Sequence, residues 1–282
     1  MTPTTPPATS PATSPGQSVA RARSRRPGPL VFVLPAVAVL FFAAPLVALL
    51  GKVAWSDLGA DLTSAGSRDA LRLSLVCSAG AAVLSALFGV PLAWLLARVD
   101  FPGRSVVRGL VLLPLVLPPV VAGVALLSAF GRRGIVGSHL YDWFGLQFTF
   151  STAGAVIAET FVAMPFLVLT VEAGLRSMDR RFEDVAATLG AGPLVVFSRV
   201  TIPLVAPSLL AGTVLAWARA LGEFGATLTF AGNVEGRTRT LPLEVYLQLE
   251  SRPQVAVALS LVLLAVSFAV LVGLRDRWFA GR

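Results

Sequence analysis

EDVAATLGAGPLVVFSRVTIP, residues 183–203, is a polar interruption between two long apolar runs. Met178, Phe182, Val185 and Leu189 lie four, three and four residues apart, so a helix through this stretch carries them on one face. Asp179 is placed to cap that helix, and Glu183 and Asp184 put negative charge in its early turns, where the helix dipole favours it. Gly190 and Gly192 allow a sharp turn, and Pro193 suits the first position of a second short helix. The expected shape is helix, glycine corner, helix, with Pro203 where the next apolar run begins. A plain linker between two runs has no need of that shape, so it reads as a docking surface.

The apolar runs set the class. Of 282 residues 55% are hydrophobic and only 13% charged, about half the charged share of a soluble domain. The net charge of +8 is carried almost wholly by arginine, Lys52 being the one lysine. These arginines flank apolar runs, which fits membrane orientation better than nucleic-acid binding. One cysteine, Cys77, and one histidine, His139, exclude an intrachain disulfide and a Cys- or His-cluster metal site. No cofactor is expected.

Residues 1–29 read as a disordered tail of Pro, Thr and Ser ending in the basic segment RARSRR at 21–26. Residues 30–276 read as the membrane domain, and 277–282 as a short C-terminus. The run from Leu30 to Leu50 is long enough to span a bilayer and too long for a signal-peptide core. Five more spans are expected: 70–97, 106–130, 153–175, 202–230 and 255–274. Pro118-Pro119 predicts a kink in the third.

Six spans put both termini on one side. That side carries Arg21, Arg23, Arg25 and Arg26, then Arg98, Arg104 and Arg108, then Arg176, Arg180, Arg181 and Arg199, and finally Arg275, Arg277 and Arg282. The opposite loops carry fewer: Lys52, Arg68, Arg72, Arg132, Arg133, Arg237, Arg239 and Arg252. Fourteen against eight makes the termini and the 178–203 loop cytoplasmic.

A cytoplasmic loop between the fourth and fifth of six spans, reading DVAATLG at 184–190 and VTIP at 200–203, resembles the EAA loop of ABC-importer permeases of the type I, MetI-like class. The family pattern is Glu-Ala-Ala, three residues, Gly, nine residues, then Ile-x-Leu-Pro. The spacing matches throughout. The identities depart at four positions, with Asp184 for Glu, Val185 for Ala, Val200 for Ile and Ile202 for Leu. The resemblance implies an all-α polytopic fold with a coupling helix. It also implies a pore formed by two permease copies and a cytoplasmic ATPase dimer that receives the loop. Its coupling positions would be Glu183, Asp184, Ala186, Ala187, Gly190, Val200, Ile202 and Pro203. In agreement, the chain carries no GxxxxGK[ST] phosphate loop of its own, so ATP chemistry belongs to a partner.

The fifth expected span contains WARALGEFGATLTFAGN at 217–233, with Arg219 and Glu223 four residues apart on one helix face. Ionisable groups at membrane depth pair with one another or face a water-filled path, and both readings stay open here. Gly222 and Gly225 permit helix distortion or close packing. ARALGEFGAT followed by FAGN, and TRTLPLEVYLQLE at 238–250 in an exported loop, resemble the molybdate and tungstate permeases within that family. Sulfate and thiosulfate permeases share the Arg-x-x-Gly-Glu core. The resemblance implies a tetrahedral dianion as substrate, delivered by an extracytoplasmic binding protein to a permease homodimer in the cell membrane.

Glu159 and Glu172, toward opposite ends of the fourth span, read as interfacial or paired, and His139 as a residue of a short external loop. Trp55, Trp143 and Trp278 read as interfacial anchors. An ion-coupled secondary transporter is the rival of another class. A membrane enzyme is disfavoured by the absence of HExxH and GxSxG.

Overall fold

The structure, a computed structural model, describes the backbone of residues 32–279 and the side chains of residues 32–273. The expectations for the tail 1–29, and for Arg275, Arg277, Trp278 and Arg282, lie outside the described residues.

All regular structure among the described residues is helical. In chain order the helices are α1 (Val33–Gly51), α2 (Leu58–Thr63), α3 (Ala65–Arg98), α4 (Arg104–Val116), α5 (Pro119–Phe130), α6 (Gly137–Phe144) and α7 (Thr152–Ser177). They continue with α8 (Arg181–Thr188), α9 (Pro193–Val196), a π turn (Phe197–Thr201), α10 (Ile202–Leu221), α11 (Gly225–Phe230), α12 (Leu241–Ser251) and α13 (Pro253–Phe279). Among the described residues five helical segments are long and apolar enough to cross a membrane: Val33–Gly51, Ala65–Arg98, Thr152–Ser177, Pro193–Leu221 and Pro253–Gly273.

The chain forms two compact units, one ending at Val47 and the other starting at Ala48. In the first, the described residues are helical and apolar on every side, and α1 buries none of them. Such a helix is suited to lipid on all faces. In the second, α3, α7 and α10 pack together around Ala81, Ala93, Ala97, Ala163, Ala216 and Ala220, with Leu96, Leu167, Val168, Val171 and Leu175 between them. Small residues let backbones approach where lipid supplies no hydrophobic drive for helix association. A Cβ on Gly174 would lie 2.3 Å from Ser208 Oγ, which measures how closely α7 meets α10.

Four expectations are corrected here. The run 106–130 is two helices, because Pro119 holds Pro118 at φ −54°, ψ 135° and Pro118 likewise holds Leu117 extended. Pro114, by contrast, is accommodated inside α4. The run 202–230 is not one helix. It starts earlier, continuing from Pro193 through the π turn, and it stops at Leu221. In the π turn the Ile202 N–H reaches back five residues to Phe197 O, and Pro203, next in the chain, has no N–H to offer the carbonyl of residue 199.

The stretches around His139 and at 238–250 were expected to be loops, and both are largely helical, as α6 and α12. Pro242 in the first turn starts α12, and the N–H of Leu241 donates to Ser74 Oγ of α3 at 2.6 Å, which docks the helix. Of the two glycines near the break after α10, Gly222 has only Ala218 O at 3.9 Å from a would-be Cβ, whereas Gly225 would place one 2.6 Å from Pro119 Cβ. Gly225→Val is therefore expected to destabilise the protein by about 1–3 kcal/mol through overpacking. Gly222→Ala should leave the thermal midpoint in detergent nearly unchanged. Equal midpoints for the two variants would contradict this packing.

Candidate functional site

The loop after α7 is built as a closed corner. Asp179 Oδ1 accepts the N–H of Arg181 at 3.0 Å, a local turn that leads into α8, whose N-cap position is Arg180 rather than the expected Asp179. At the other end Gly190 takes φ +87°, its N–H donates to Ala187 O, and Ala191 N–H donates to Ala186 O. These paired bonds are a Schellman ending, in which the two alanines supply the carbonyls and the glycine supplies the left-handed backbone. A Cβ on Gly190 would meet nothing within 4 Å, so the requirement is for its φ alone. Gly192 is extended, at φ −67°, and Pro193 opens α9 behind it. Only one of the two glycines makes the corner.

Glu183 and Asp184, adjacent in sequence, have separate fates because successive helical residues point about 100° apart. Glu183 turns inward. Its Oε2 lies 3.1 Å from Arg98 Nε at the end of α3, and its Oε1 accepts from Thr201 Oγ1 of the π turn at 2.6 Å. The Arg98 and Glu183 side chains are only 8% and 16% exposed. Arg180 Nη2 donates to Ala97 O at 3.2 Å, and Trp94 meets Phe197 edge to face at 6.0 Å between centroids. Asp184 is exposed. A cleft of about 460 Å³ between the α3 end and the loop is lined by both acids, Ala187, Phe197 and Thr201.

The expected apolar face is present, with one change: Met178 is partly buried against the core, while Phe182, Val185 and Leu189 are 56%, 57% and 83% exposed. Leu194 and Val195 extend the exposed apolar surface across the corner. Val200 and Ile202 are half-buried and Pro203 is exposed.

The second cluster is at the break after α10. Arg219 Nη2 pairs with Glu223 Oε2 at 2.6 Å. Glu223 Oε1 accepts the N–H of Ala226 at 2.8 Å and so caps α11. The two residues pair as their spacing allows, yet Glu223 lies beyond the end of α10 rather than along its face. Glu223 is 2% exposed, and the Arg219 side chain keeps 27% of its surface open.

Glu159 is buried inside the protein and has no ion-pair partner among the described residues. It is 1% exposed on α7, its neighbours Ala155 and Ala158 being fully buried, and its Oε2 has no hydrogen-bond partner among the described residues. Glu172 is paired, to Arg108 at 2.6 Å and Arg176 at 2.8 Å. Sequence reasoning used Arg98, Arg108, Arg176 and Arg180 only as orientation markers. The four-residue spacing of Glu172 and Arg176 was the one local signal of pairing.

A family model described as "Binding-protein-dependent transport system inner membrane component" matches residues 89–281. A Mycobacterium tuberculosis protein named "Molybdenum transport system permease protein ModB" is 52% identical over 247 residues, covering 86% of this chain and 92% of the relative. The protein of the same name from Escherichia coli K12 is 44% identical over 211 residues, covering 75% and 92%. Among solved structures, a chain of a bacterial alginate ABC transporter in complex with its pentasaccharide-bound periplasmic protein superposes with a TM-score of 0.66. It is 20% identical and covers 86% of this chain and 91% of that one.

Proposed function

Because this chain belongs to the family of binding-protein-dependent transport system inner membrane components, we propose that it is the permease of an ATP-driven importer of molybdate. Two copies form the path, an extracytoplasmic binding protein delivers the anion, and a cytoplasmic ATPase dimer receives the 178–203 loop. Helices α4 and α5 together make the third of six spans, and both termini are cytoplasmic.

The observation that carries the coupling role is the corner itself. Exposed Phe182, Val185 and Leu189 stand beside exposed Asp184 on a helix whose two ends are fixed by Asp179 and Gly190. A pre-shaped apolar ridge with one free acid fits a groove that carries a cation. The substrate reading rests on the two relatives named for molybdenum transport.

In this reading Arg219, Gly222, Glu223 and Gly225 border the path. Arg219 supports that placement because its side chain keeps 27% of its surface open while its counter-ion is buried, and a charged side chain left open at membrane depth belongs against water. The site serves passage rather than tight binding, since an anion held strongly by the permease would leave slowly.

Uptake into proteoliposomes holding the permease, ATPase and binding protein, measured by elemental analysis, tests this function. ATP-dependent molybdate accumulation is expected to exceed that of sulfate or thiosulfate. Preferred sulfate accumulation would move the assignment to the sulfate permeases, and uptake without the ATPase would make the chain a secondary transporter.

A further inference from the structure

We infer that Arg98 is the positioning residue through which displacement of the 178–203 loop reaches α3. The inference rests on the coupling role proposed above. The loop is covalently continuous with α7 on one side and, through α9 and the π turn, with α10 on the other. Any partner that pulls the loop therefore moves those two helices directly. Helix α3 packs against both, yet its C-terminus is eighty residues away in sequence and moves with the loop only through non-covalent contacts.

Three such contacts are present, and they differ in kind. Trp94 against Phe197 is an edge-to-face aromatic pair that can slide, and Arg180 to Ala97 O is one bond from a partly exposed side chain. Arg98 to Glu183 is an ion pair at 3.1 Å between two largely buried side chains, a charge contact that burial strengthens although Arg98 Nε makes no aligned hydrogen bond. Glu183 also holds Thr201, so one carboxylate fastens α8, the start of α10 and the end of α3.

The α3 end is in turn tied to its surroundings. Arg104 of α4 donates to Leu96 O, and Arg176 of α7 does so at 3.5 Å, so these arginines cap the carbonyl end of α3 where the helix dipole favours positive charge. A pull on Glu183 thus enters a braced terminus rather than a fraying one, and it passes along the 34-residue α3. The role is mechanical: Arg98 need not touch substrate, nucleotide or partner.

The test uses the full complex in proteoliposomes and reads molybdate imported per ATP hydrolysed, alongside co-purification of the ATPase. Arg98→Ala is expected to lower that ratio at least tenfold relative to wild type while the ATPase still co-purifies. The exchanged pair Arg98→Glu with Glu183→Arg is expected to recover a third or more of the wild-type ratio, and Arg98→Glu alone is not. A ratio within twofold of wild type for Arg98→Ala overturns the inference. So does loss of ATPase co-purification, which would make Arg98 a support for docking, and so does a double exchange no better than the single one. Absence of ATP-dependent uptake by the wild-type complex would instead remove the proposed function, so the two failures are separable.

Discussion

Val185→Glu combined with Leu189→Glu is expected to abolish ATP-dependent uptake while leaving the permease folded. Both side chains are more than half exposed, with Leu189 at 83%, so the substitutions remove almost no buried contact from the chain itself. Surface changes of that kind alter stability by about 0.5 kcal/mol or less. At an interface the same changes place two carboxylates where the partner expects apolar surface, beside Asp184. Each unpaired charge buried there costs several kcal/mol, on the order of 3–5 by comparison with broken buried ion pairs. At about 1.4 kcal/mol per tenfold in affinity, one such charge lowers ATPase binding at least a hundredfold.

Two measurements decide the result: the thermal midpoint of the detergent-purified permease, expected unchanged, and co-purification of the ATPase, expected lost. Normal co-purification with normal uptake would remove the loop from the interface. Gly190→Arg is a milder probe. Its side chain meets no neighbour, but the φ of +87° imposes about 1–2 kcal/mol on any L-residue and loosens the Schellman ending. A partial loss of uptake is expected.

The second large effect belongs to Arg219 and Glu223. Glu223→Ala removes the counter-ion of Arg219 and the acceptor for the Ala226 N–H together, with a residue only 2% exposed. Breaking a buried pair from one side costs about 3–5 kcal/mol, so this variant should lose much of its folded yield. The informative variant is Arg219→Leu with Glu223→Gln. It removes both charges, and the glutamine oxygen still accepts from Ala226, so the cap survives and the midpoint should return to near the wild-type value.

If the pair were only structural, that neutral variant would transport normally. We expect instead that it folds and loses at least tenfold in molybdate uptake, because the open side of Arg219 is the source of positive potential along the path. Uptake within twofold of wild type by a fully folded double variant would return the pair to a purely structural role.

How much was legible depended on where the cause of each feature lay. The ending of α8 was readable because a Schellman corner is local: Ala186, Ala187, Gly190 and Ala191 contain all of it. The kink at Pro118-Pro119 was readable for the same reason, since each proline restricts only its predecessor. The break after Leu221 was readable only as a distortion that Gly222 and Gly225 permit, because residues 217–230 contain no proline and are apolar enough to continue as a helix. Glu223 ends it by turning to the Ala226 N–H, and Gly225 fits where Pro119 of α5 approaches. The burial of Glu159 was not legible because it comes from helices packed against α7 that are distant in sequence, α3 and α10 foremost among the neighbours of that helix.

The sequence by itself determined that this is an all-helical membrane chain, where its apolar runs lie, and which loop interrupts them with a shaped, acidic corner. Those properties follow from hydropathy over about twenty residues and from backbone restrictions that act between near neighbours. Only the tertiary structure decided that Glu183 and Asp184 do different work, one pinned inward to Arg98 and Thr201 and the other left exposed. Adjacent acids at the start of a helix are equivalent in any pattern of spacing. They become distinct when α3 brings a largely buried arginine side chain to one side of α8 while the other side stays exposed.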